Sequence, residues 1–175
     1  MLSRKINARV SLLTTVFLLI HAIGNALRMI AGNESNAAAG VFAWALAGLM
    51  LLHAFISIDL AISAHTGIEK RKCKGYPKMN VSTLFQRVSG VLMIPFAALH
   101  IAGAVGVMQP PEIVHAILPL LFFAFSLAHA AVSASKALIT LGIGSARFIK
   151  TADIVIKVFC GATLLLCVIG FNLYY

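Results

Sequence analysis

Residues 85–102 read FQRVSGVLMIPFAALHIA. The stretch opens on Arg87 and a Ser89-Gly90 step, continues as an apolar run through Pro95 and closes on His100. Sequence of this kind is that of a membrane-spanning helix, where an ionisable side chain at depth is costly unless a partner receives it. Working outward from this segment, three other long apolar segments each carry one histidine near mid-depth: His21, His53 and His129. Four such histidines suggest four axial ligands for two haems.

The composition agrees with that reading. Of 175 residues, 61% are hydrophobic and only five are acidic, which excludes an ordinary soluble domain, whose charged fraction is about a quarter. Five spans are expected, at 10–31, 41–65, 84–108, 112–141 and 151–173, each long enough for a hydrocarbon core of about 30 Å. The fold class is therefore all-α and polytopic, one transmembrane unit over 1–175, with the first four helices forming a bundle. The net charge of +9 is a topology signal before it is a binding surface. Arg4, Lys5 and Arg9 precede span one; Lys70, Arg71, Lys72, Lys74, Lys78 and Arg87 flank the join of spans two and three; Lys136, Arg147 and Lys150 flank the join of spans four and five. The opposite loops, AGNESNAAAG and QPPE, hold no lysine or arginine, so the amino terminus and basic loops are expected inside and Tyr174 and Tyr175 at the outer interface. A nucleic-acid partner is not expected. The five cations of 70–78 suit anionic lipid or an acidic protein surface. Cys73, Cys160 and Cys167 form no CxxC or CxxCH pattern, so neither a thiolate metal site nor covalently attached haem is indicated. The first apolar run is too long for a cleaved signal peptide.

Other polar residues in the spans have two readings each. Arg28 lies seven residues after His21, on the same helix face, and either meets a haem propionate or quinone or snorkels to lipid phosphate. Lys136 stands in the same relation to His129, with the same alternatives. Arg87 and Ser89 are propionate or packing candidates. Asp59 is a proton relay or a locally neutralised carboxylate. His65 lies 12 residues from His53, roughly 120° away around the helix, and is read with His115 as interfacial. Pro95 frees a carbonyl and bends its helix, making room for a flat ligand. Asp153 and Lys157 form an i, i+4 pair on a fifth helix without a histidine. A faint repeat joins ARVSLLTTVFLLIHA to QRVSGVLMIPFAALHIA and HAFISIDLAI to HAAVSASKAL, so spans one and two resemble spans three and four.

Two ligands of one iron must lie at similar depth. His21 and His100 sit about 12 and 9 residues from the outer ends, and His53 and His129 both about 12 residues from the inner ends. The expected pairs are His21 with His100 at an outer haem and His53 with His129 at an inner one. Taken singly, each histidine is explained by a hydrogen bond to a neighbouring carbonyl. One per helix on four helices at matched depths is what a bis-histidine bundle requires. Zinc is disfavoured, because no carboxylate or thiolate set completes a tetrahedral site.

These residues resemble a family. FQRVSGVLMIPFAALH is similar to the QR-[ST]-G helix, ending in a haem histidine, of the five-helix di-haem cytochrome b anchors of succinate dehydrogenases and fumarate reductases. HAIGN of span one, LLHA of span two and AHAAVSASKALITLGI of span four extend the resemblance over nearly the whole chain. It implies His21, His53, His100 and His129 as ligands of two haem b, in the pairing that depth gives. It implies electron relay between a membrane quinone, menaquinone by family expectation, and a cytoplasmic iron-sulfur subunit that serves a flavoprotein. The location implied is the inner (cytoplasmic) membrane. Leu127 stands two before His129, where some fumarate reductases carry a glutamate for proton movement, so that route is not implied. The rival readings are the anchor of a hydrogenase or formate dehydrogenase, which tends to put more than one ligand on a helix, and a haem-free transporter or assembly factor working through Asp59 and Lys136.

Overall fold

The computed structural model describes residues 4–33, 37–65, 81–108 and 111–174. The basic segment 66–80, with Cys73, and the side chains of His65 and His115 lie outside the described residues. Five helices account for nearly all of the rest: α1 (Arg4–Ile30), α2 (Ala37–His65), α3 (Val81–Ala104), α4 (Glu112–Leu141) and α5 (Ala146–Tyr174). All five are long and apolar enough to cross a membrane, and no strand occurs among the described residues.

Helix bounds depart from the apolar spans in a consistent way. α1 begins six residues before the expected start, because Arg4 and Lys5 are good helix formers and nothing in RKINAR breaks the helix. α2 extends back to Ala37 through an alanine run for the same reason. α3 ends at Ala104 instead of 108, and the chain turns in the Gly-containing segment that follows. α4 ends where Gly142 takes a φ of 73°, a left-handed conformation open to glycine. There the Gly142 N–H bonds Ile139 O and the Ile143 N–H bonds Leu138 O, both at 3.0 Å, which satisfies two of the last carbonyls.

α4 is the most enclosed helix, and it packs against α1, α3 and α5. Its residues Phe122, Phe123, Leu127 and Ala130 form one buried cluster with Leu18, Ala22 and Ala26 of α1, Leu46 of α2, and Cys160 and Cys167 of α5. α2 packs on α1 and α3 on α4, while among the described residues α2 and α3 share no extended contact. The four histidine-bearing helices therefore line up as α2, α1, α4, α3, and α5 sits in the seam between α1 and α4. That seam is made tight by small residues: a Cβ on Gly170 would come within 2.8 Å of Ala26 O. Ala22 and Ala26 are fully buried there. Elsewhere large apolar side chains point outward, among them Trp44, Leu51, Phe55 and Ile62 of α2. Such a surface has a place in lipid and none in water.

Contacts between helices fix their senses. Ser57 Oγ donates to Asn7 Oδ1 at 3.3 Å and Phe17 stacks on Phe42 at 4.6 Å, so α1 and α2 are antiparallel. Lys136 meets Gln86, and His100 meets Phe122, so α3 and α4 are antiparallel as well. The two repeat halves are thus two antiparallel helix pairs, each closed by a polar bond at the end of the bundle where the chain begins.

Candidate functional site

His53 of α2 and His129 of α4 face one another, with ring centres 6.3 Å apart and planes inclined by 66°. Two imidazoles on opposite sides of one metal ion have centres about 6.4 Å apart, from two bonds of about 2.1 Å and about 1.1 Å from nitrogen to ring centre on each side. Each ring keeps one buried nitrogen without a hydrogen-bond partner, Nδ1 of His53 and Nε2 of His129. Unpartnered buried ring nitrogens are uncommon, and a metal is one species that satisfies them. The other nitrogen of His129, Nδ1, lies 3.0 Å from Ser89 Oγ. Ser89 is 2% exposed and donates its own proton to Phe85 O at 2.7 Å, with Gln86 O at 3.2 Å. It is turned to His129, and Gly90 beside it leaves room for the ring: a Cβ there would lie 3.2 Å from His129 Cε1.

At the end of the bundle where the chain begins, Lys136, two turns along α4 from His129, donates from Nζ to Gln86 Oε1 at 2.9 Å. Arg87 is exposed on α3. Asp59 is half-buried on α2, and at the same end of the bundle Lys157 donates to Asp153. In the other direction along α4, Phe96 stacks on Phe125 at 5.2 Å, and beyond that pair lies a second histidine layer. His100 stacks on Phe122 at 5.1 Å and meets Phe123 edge-on at 6.0 Å; His21 lies against the same Phe123 at 5.9 Å. His21 and His100 are joined through that phenylalanine, where His53 and His129 meet ring to ring. Phe122 precedes His129 by seven residues and His100 follows Ser89 by eleven, so the layers are about 10–16 Å apart.

His21 has its own polar neighbour. Asn25 Nδ2 donates to His21 O at 2.8 Å and lies 3.2–3.3 Å from both ring nitrogens. Asn25 Oδ1 in turn accepts from Arg28 Nη2 at 3.1 Å, while Arg28 Nε is buried and without a partner. Asn25, Gln86, Phe122 and Phe123 are site neighbours that reasoning from sequence did not single out. Asn25 stands four residues after His21, one helical turn on, which is the signal that was there to find.

Among the described residues no group of three or more His, Cys, Asp or Glu side chains is gathered, so a tetrahedral site of protein ligands has no donor set. What the described residues bring together here is two imidazoles, those of His53 and His129. Comparison of the chain with protein-family models, curated proteins and solved structures gives no match.

Proposed function

We propose that the chain is the di-haem cytochrome b membrane anchor of a complex of the succinate dehydrogenase/fumarate reductase type. The observation that carries this reading is the His53–His129 pair, 6.3 Å apart with a buried, unpartnered nitrogen on each ring. His53 and His129 hold the inner haem. His21 and His100 would hold the outer one, where Phe123 lies against both rings. Bound b haem supplies one-electron transfer near each face of the membrane.

The chain's own residues bind and orient. Ser89 and Gly90 seat His129; Lys136, two turns along α4 from His129, and Gln86, one turn along α3 from Ser89, would offer a cation and an amide to an inner-haem propionate; Phe96 and Phe125 fill the layer between the pairs. At the outer end Arg28, held by Asn25 with Nε unused, offers its guanidinium to a propionate or to a quinone, menaquinone by the resemblance. The amino terminus and the basic loop lie on the cytoplasmic side of the inner membrane, where the loop docks an iron-sulfur subunit that serves the flavoprotein. The side on which quinone reacts matters, because one charge moved across the membrane is worth about 2.3 kcal/mol per 100 mV.

Purification of the chain from its native membrane in mild detergent tests the assignment. The expected complex contains covalent or tightly held flavin, acid-labile sulfide and succinate- or fumarate-linked quinone activity. A haem-containing chain accompanied by a hydrogenase or formate dehydrogenase, or a chain with no redox partner, contradicts it.

A further inference from the structure

We infer that the Ser89-Gly90 step is a positioning element for His129 alone, which commits the His129 proton to Nδ1 and presents a bare Nε2 to the inner haem iron. The inference rests on the haem reading above. Ser89 has one hydroxyl proton, and the neighbouring carbonyls of Phe85 and Gln86, at 2.7 and 3.2 Å, can only accept it. With that proton on Phe85 O, the nearer carbonyl, Oγ acts as acceptor at its 3.0 Å contact with His129, and the Gln86 carbonyl, which also bonds the ring, can only accept from it, so Nδ1 carries the imidazole proton. In a neutral imidazole the other nitrogen then has the free lone pair. That nitrogen, Nε2, is the buried atom left without a partner.

Gly90 contributes clearance. The His129 ring lies against the α3 backbone at this residue, and an added Cβ would press on Cε1 at 3.2 Å and meet Nδ1 at 3.6 Å. The serine and the glycine thus fix the ring's tautomer and its position from adjacent residues of one helix. A hydrogen bond from the distal ring N–H makes an imidazole more basic and holds its orientation, which favours the oxidised metal. Ser89 thereby lowers the potential of one haem and leaves the other untouched.

The test is a redox titration of the haem-loaded full chain, read by optical difference spectra and low-temperature electron paramagnetic resonance. Ser89→Ala is expected to raise the midpoint of one component only, the component missing in His129→Ala, and to weaken retention of that haem about tenfold or more. Ser89→Thr, which keeps the hydroxyl, is expected to restore the wild-type midpoint. Two components unchanged in Ser89→Ala, or both shifted alike, would overturn the inference. If Ser89→Ala does not assemble, Gly90→Ala is titrated instead: a shift confined to the same component supports the inference, and no shift overturns it. A wild-type chain with no b-type signal defeats the haem reading itself, and is distinguishable from a di-haem chain indifferent to Ser89.

Discussion

His129 has Ser89 Oγ at its Nδ1, the His53 ring centre 6.3 Å from its own, and Gly90 under the ring. If His53 and His129 share one iron, removing either imidazole removes the same haem. Single His53→Ala and His129→Ala variants are therefore expected to lose the same spectral component and keep the other, as measured by reduced-minus-oxidised spectra. Loss of different components would separate the pair. At this scale the histidines stood out in the sequence because each is an ionisable residue in an otherwise apolar helix. Their supports did not. Ser89 and His129 are 40 residues apart, and a serine in an apolar helix ordinarily bonds its own preceding turn, so nothing local announces a second contact. Phe123 was hidden differently: one of eleven phenylalanines, it is distinguished only by lying against both His21 and His100.

The helices themselves were readable from apolar length, and their ends were not. Hydropathy marks what lipid tolerates, whereas the helix continues until a glycine or a loop ends it, so α1 runs back to Arg4 and α5 to Ala146. The role of α5 was only partly legible. Without a histidine it reads as a packing helix, but which partners it packs on depends on small residues spread through the sequence: Cys160, Thr163, Cys167 and Gly170 are its buried face. Cys167 Sγ lies 3.8 Å from Ala22 O, one turn from the Gly170–Ala26 approach. In a bilayer such close contact replaces the hydrophobic drive that water supplies to soluble proteins. Gly170→Val must push α5 off α1, because its Cβ would meet backbone and not a side chain that can turn away. The expected cost is about 1–3 kcal/mol, seen as a lower midpoint of thermal or denaturant unfolding in detergent. An unchanged midpoint would mean that the seam gives way without loss.

As a whole, the molecule is a row of four helices, α2, α1, α4, α3, braced by α5 on the α1–α4 seam. α2 and α3 share no extended contact among the described residues, so the row is not closed into a ring of four. Consecutive membrane-spanning helices run antiparallel whatever their sequence, so the two pairs owe nothing to the R-V-S and His-Ala repeat, and the order of helices in the row was not legible, since periodicity gives faces and not neighbours. The placement of charge is the ground on which the orientation across the membrane is proposed. Cys73 is expected to react with a membrane-impermeant maleimide in inside-out vesicles and to be protected in right-side-out ones, with the buried Cys160 and Cys167 unlabelled in both. The opposite pattern would invert the assignment of quinone and docking sides. The central claim, that two bis-histidine haems occupy this row, is tested most directly by the reduced-minus-oxidised spectrum and haem content of the purified full chain. The account predicts a b-type spectrum with two haems per chain, and a chain purified intact with no b-type signal would contradict it.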